Sequence, residues 1–178
     1  MKLSPGDSAP LIQRLDFEGQ DFDTDQYKGR WLLLSFYRYA SCPFCNLRIH
    51  QLDQETEHFR ELNLEMAAVF QSSAEKVESY AGSKGLSFPL LCDPSQGLYQ
   101  TYGLTTSWWG FFGGMVLKMP KMMVAFKNGF LPGSMEGKIN QMPADFLIDP
   151  NGIIQLAYYG SDLSDHVPVE QIKAVLTK

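Results

Sequence analysis

Two of the chain's three cysteines, Cys42 and Cys45, lie three positions apart in the run Tyr39-Ala40-Ser41-Cys42-Pro43-Phe44-Cys45. A thiol reacts as its thiolate, which the unpaired N–H groups and dipole of a helix N-terminus stabilise. Pro43 suits the first helical turn, where its missing N–H would be unpaired anyway, and it pushes Cys42 into extended backbone. Cys42 is therefore expected as the N-cap, with Cys45 in the first turn. A pair so placed suits dithiol–disulfide exchange: one thiol attacks, and the other, a turn away, resolves the mixed disulfide. Ser41, Pro43 and Phe44 flank the sulfurs and are expected to shape the surface that a substrate meets.

The same spacing admits a zinc site or two inert thiols. Structural zinc takes four ligands, and only Cys92, His50, His58 and His166 remain to complete a set, none at a zinc-finger spacing. No metal is expected. Cys92 follows Leu90-Leu91 and reads as a small core residue. His50 falls on the polar face of the expected helix, away from the stripe Cys45, Ile49, Leu52, Thr56 and Phe59.

Elements must hold these residues in place. The apolar, aromatic run 31–37 predicts a central strand covered on both faces. Further strands are expected at 65–70 and 88–92, and helices at 74–81, 96–102 and 169–176. Segments 144–148 and 152–159 flank Asp149-Pro150-Asn151-Gly152, a hairpin signal. Alternating strands and helices followed by a hairpin describe an α/β sandwich, a mixed β-sheet flanked by helices. One domain covering 1–178 suits the length. The segment 105–141 breaks the rhythm, being far longer than the ~12–15 residues typical of a loop. It holds Trp108, Trp109 and, within 108–126, four of the eight methionines, with Lys118, Lys121, Lys127 and Lys138 against Glu136 alone. Core, a homodimer interface, a substrate groove and weak attachment to an anionic membrane surface are all open readings; core plus interface is preferred.

A net charge of −5 argues against nucleic acid as a partner. The N-terminus lacks the apolar stretch of a secretory signal, and 108–126 is too interrupted by Gly, Lys and Pro to span a bilayer. The expected location is the cytoplasm, where a cysteine pair is more often catalytic or metal-binding than structural.

The motifs Pro5-Gly6-Asp7, Ala9-Pro10, Tyr27-Lys28-Gly29-Arg30, Phe88-Pro89-Leu90-Leu91-Cys92-Asp93-Pro94, Tyr102-Gly103 and Phe146-Leu147-Ile148-Asp149-Pro150-Asn151-Gly152 resemble a peroxiredoxin of the alkyl hydroperoxide reductase / thiol-specific antioxidant family. The resemblance implies a thioredoxin-like fold. It also places Cys45 at the peroxidatic position and Cys42 where the family carries an active-site Thr or Ser. The family's catalytic Arg would lie near 143, but Pro143 stands there and no arginine follows Arg60. The chain is thus similar to the peroxiredoxin-like branch with a thioredoxin-style C-x-x-C. That likeness implies a cis Pro143 which, with Met142, shapes the substrate edge. The buried acid of thioredoxins would fall near Ser35, leaving no internal proton acceptor. Arg38 could either charge the site or sit exposed at the strand end.

Together these readings predict a thiol–disulfide oxidoreductase with no cofactor beyond a Cys42–Cys45 disulfide. Its expected partners are a disulfide-bearing protein or a small thiol or peroxide substrate, and a thiol electron donor. Peroxide reduction at Cys45 with Cys42 resolving is the alternative. A non-catalytic module docking a partner through 105–141 is a third reading.

Overall fold

Why a run such as Trp-Leu-Leu-Leu-Ser-Phe lies at the middle of the molecule is clear from what covers it. The computed structural model describes residues 1–117 and 119–177, the side chains of 84 and 114–117 excepted. Strand β3 (Trp31–Phe36) runs parallel to β4 (Leu64–Phe70), which runs parallel to β5 (Leu90–Cys92). On its other side β3 pairs antiparallel with β6 (Ala144–Ile148), and β6 with β7 (Ile154–Tyr159), giving the order β5-β4-β3-β6-β7. The hairpin joining β6 and β7 is the one expected: Asp149 Oδ1 accepts from the N–H groups of Asn151 and Ile153 at 2.8 and 3.0 Å, and Gly152 takes φ +81°.

Alternation along the strands builds two cores. Leu33, Tyr37, Met66, Phe70 and Leu147 face one side, against α1 (Pro43–Gln54), α2 (Thr56–Glu61), α3 (Ala74–Ser79) and α7 (Val169–Leu176). Leu34, Phe36, Val69 and Phe146 face the other, against the hairpin of β1 (Gln13–Leu15) and β2 (Asp21–Asp23) and against α4 (Gly97–Thr101). Phe36 anchors this second core, its ring 5.3 Å from Tyr99, 5.0 Å from Tyr102 and 5.8 Å from Phe146. The arrangement is the thioredoxin-like sandwich expected from the sequence. The expected long helix after Pro43 is interrupted at Glu55, yet the stripe Cys45, Ile49, Leu52, Thr56 and Phe59 stays buried throughout.

The segment before β6 forms two helices, α5 (Trp108–Leu117) and α6 (Met119–Lys127), and then an extended return. Its two ends are clasped by a Thr106–Gln141 bridge and by the Met142 N–H donating to the Thr105 carbonyl at 3.1 Å. Among its described residues the side chains divide between an outward and an inward face. Trp109 is 91% exposed, and Trp108, Phe112, Met119, Met123 and Val124 also face outward. Among the described residues that turn inward, Ala125 packs with Leu47 and Phe130, while Phe111 and Met122 reach the thiol-side core.

Phe146→Ala should lower stability by roughly 3–5 kcal/mol in urea unfolding, because the cavity sits among packed rings. Met123→Ala, on the exposed face, should change it by less than about 0.5 kcal/mol.

Candidate active site

The chain leaves β3 at Phe36 and reaches helix α1 within six residues, and every residue of that turn is buried. Cys42 is the N-cap of α1, with extended backbone (φ −72°, ψ 118°) and Pro43 in the first turn. Both thiols are buried at 1% exposure, and neither is in a disulfide. The Asn46 side chain fixes the turn, its amide donating to the Ala40 carbonyl at 2.6 Å and the Cys42 carbonyl at 3.0 Å.

The two sulfurs differ in electrostatics. Burial, the largest influence on each, pushes both thiols up. For Cys42 it is outweighed by a hydrogen bond from the Cys45 thiol, the Arg38 guanidinium and the N–H groups of Cys45 and Phe44, and its pKa comes down to about 6. Cys45, donating that bond beside the Cys42 charge, is held well above the ordinary thiol range. The two sulfurs are thereby set apart, Cys42 toward the thiolate and Cys45 toward the thiol.

Arg38 favours the thiolate of either sulfur, and the structure chooses between its two sequence readings. The residue is 2% exposed, its guanidinium 4.8 Å from the Tyr39 ring and 5.8 Å from that of Phe111, with an Nη2 donating to Tyr39 Oη at 3.1 Å. Among the described residues no carboxylate pairs with it. Both cysteines raise its pKa further, so it stays charged against the cost of burial.

A strap formed by the return from α6 closes over the thiols. Ser41 Oγ donates to the Ser134 carbonyl at 2.7 Å. Gln71, at the end of β4, donates to the carbonyls of Glu136 and Lys138, each at 3.0 Å, and accepts from the Lys138 N–H. Met142 is buried in the same cluster as the cysteines. Pro143 opens β6, its carbonyl accepting from the Gly160 N–H at 2.9 Å. The cis bond implied there is absent: the described backbone has no cis peptide. Trans is the ordinary state of an X–Pro bond, and here it leads straight into a strand. Pro43 and Phe44 are buried in the first turn of α1.

A buried acid exists after all, one strand away from where it was sought. Asp145 on β6 is paired across the ladder with Ser35 and is fully buried. His166 Nδ1 lies 3.0 Å from both its carboxylate oxygens, and the Val167 N–H donates to it at 2.8 Å. Burial alone would raise the Asp145 pKa, but His166 more than offsets this and holds it below the usual carboxylate value. The Tyr37 ring packs 4.8 Å from that of His166, and the Tyr37 hydroxyl feels the charges of both Asp145 and Cys45. An acid inside the otherwise apolar strand Ala-Asp-Phe-Leu-Ile was the available signal. Its partner lies 21 positions on, where no local pattern points.

The remaining zinc candidates are scattered. Cys92 is half-buried, packed against the thiol-side core near Arg14, and burial raises its pKa to about 11. His58 sits with Glu61, and His50 lies against Phe130. Among the described residues no three of His, Cys, Asp and Glu cluster as a metal would require.

The profile of the AhpC/TSA family matches residues 5–157. The chain belongs to that family. It is similar to a Mycobacterium tuberculosis protein that carries a provisional peroxiredoxin name, 28% identical over 166 residues, 93% of this chain and 91% of that one. Its fold is similar to a provisionally named thiol:disulfide interchange protein DsbE from Chlorobium tepidum, with TM-score 0.67, 18% identity and coverage of 98% and 99%. A cysteine variant of PrxQ from Xylella fastidiosa has the same TM-score at 17% identity, covering 99% of this chain and 96% of that one.

Two outcomes test the geometry. Thiolate absorbance at 240 nm should titrate with a midpoint near pH 6 and vanish in Cys42→Ser. In Arg38→Met the midpoint should move up by about one unit or more, since losing a cation disfavours the anion. Ser41→Ala, removing one strap bond, should speed iodoacetamide labelling of Cys42 roughly 2–10-fold.

Proposed function

We propose that this AhpC/TSA-family oxidoreductase works by dithiol–disulfide exchange, with Cys42 as nucleophile and Cys45 as resolving thiol. The observation that carries this is the opposed shift of the two thiols around Arg38. The Cys42 thiolate attacks one sulfur of a substrate disulfide; the S–S bond breaks, and one substrate thiol leaves with a proton. Cys45 then loses its proton and attacks Cys42. The second substrate thiol departs, and two electrons have passed from the protein, which keeps a Cys42–Cys45 disulfide. An external thiol donor restores the dithiol.

Ser41, Pro43, Phe44, Met142 and Pro143 surround the pair and shape the substrate edge. The strap must move for a disulfide to reach Cys42, because both sulfurs are enclosed. We further place the protein in a reducing compartment such as the cytoplasm, where a thiol donor is supplied, and read its substrates as disulfide-bearing proteins or small thiols and peroxides. The peroxide route, favoured by the names of relatives, would begin at Cys45, whose raised pKa opposes it.

Cys45→Ser should accumulate mixed disulfides with a model disulfide-bearing protein, and Cys42→Ser should not. The reverse result, or a sulfenic acid formed with peroxide on Cys45 alone, would support the peroxidase route. Absence of any reversible two-thiol change on mild oxidation would leave only the docking-module reading.

A further inference from the structure

Beside Phe44, α1, α6 and the segment between β7 and α7 line a cleft of about 400 Å³. That volume lies within the ~300–1,000 Å³ typical of small-molecule sites. Its walls are of two kinds. Phe44, Leu47 and Val124 supply apolar surface, Arg48 and Lys121 bring positive charge from α1 and α6, and His166 is among the other lining residues. No Asp or Glu lines it among the described residues. On a chain of net charge −5 this brings two cations to one lining, with the buried Asp145 carboxylate behind it as the partner of His166.

The polar groups here are also incompletely used by the protein. Arg48 donates one Nη2 to the Val167 carbonyl at 2.6 Å, and its Nε has no partner among the described residues. His166, 9% exposed, gives Nδ1 to Asp145 while its Nε2 is unpartnered among the described residues. Both nitrogens are enclosed by the protein, so the charged groups that the lining offers a ligand are the rest of the Arg48 guanidinium and the Lys121 ammonium. Two cations alone would fit any small anion. The three apolar walls require an apolar body as well.

We propose that this cleft binds an organic anion, a carboxylate on an apolar stem, with its head between Arg48 and Lys121 and its stem against Phe44, Leu47 and Val124. The site does not depend on the redox reading, because none of its contacts involves a sulfur. It ties the active-site helix to the insertion through the ligand, since Arg48 comes from α1 and Lys121 from α6.

The test is titration of the reduced, full-length protein with sodium octanoate, followed by calorimetry and by ¹H–¹⁵N shift mapping, with 1-octanol as the uncharged stem. The expected result is saturable binding that shifts residues of α1 and α6 at the cleft, with octanol at least about 10-fold weaker. Lys121→Gln and Arg48→Gln should each weaken octanoate about 5-fold or more. Lys121 is exposed, so its variant decides the question if loss of the Val167 contact unfolds Arg48→Gln. Equal binding of octanol and octanoate, unchanged affinity in Lys121→Gln, or shifts confined to the outward face around Trp109 would overturn the proposal. Binding can be repeated in the Cys42→Ser, Cys45→Ser double variant, where failure of the exchange chemistry has no bearing on it.

Discussion

A guanidinium buried without a carboxylate is the constraint on which the site turns. Removing Arg38 from water is costly unless an anion accompanies it. The groups around it are a tyrosine hydroxyl, two aromatic faces and two sulfurs. One sulfur must therefore carry the charge. The helix start selects which: Cys42, as N-cap, receives the N–H groups of Phe44 and Cys45, while Cys45 is left to donate. Charge, capping and burial act on the same few atoms, and the division of labour between the thiols follows.

The rest of the fold serves that arrangement. The β3–α1 turn is short and buried because β3 lies at the middle of the sheet with cores on both sides, so the cysteines emerge at a fixed height above it. Asp145 reaches the same face because its register partner on β3 is Ser35. The insertion supplies what the sheet cannot, a cover: Phe111 packs over Arg38, and the strap accepts hydrogen bonds from Ser41 and Gln71. These contacts shield the thiolate from water and strengthen every charge beneath them. They also make entry of a substrate a conformational event.

Much of this was legible in the residues. Apolar runs located β3 and β4, Pro43 marked the start of α1 with Cys42 as its cap, and Asp-Pro-Asn-Gly identified the final hairpin. These features are local, set by neighbours in the chain. Arg38, Asp145 and His166 were not legible in role because their partners are remote: the first depends on the insertion folding back, and the second and third meet only across the sheet edge. The outward face of α5 also escaped the pattern. A sequence such as Trp-Trp-Gly-Phe-Phe-Gly-Gly suggests burial from composition alone, yet its surroundings cover only one side. Pro143 shows the limit of resemblance, since the bond before it is trans.

The account stands on one asymmetry, that Cys42 ionises readily and Cys45 does not. Labelling both with ¹³C at Cβ and following each shift with pH in the reduced protein measures it at the two sites separately. The expected result is a Cys42 titration near pH 6 and a Cys45 resonance that remains that of a thiol up to pH 9. A Cys45 that ionises first, or two thiols titrating together near the ordinary value, would contradict it.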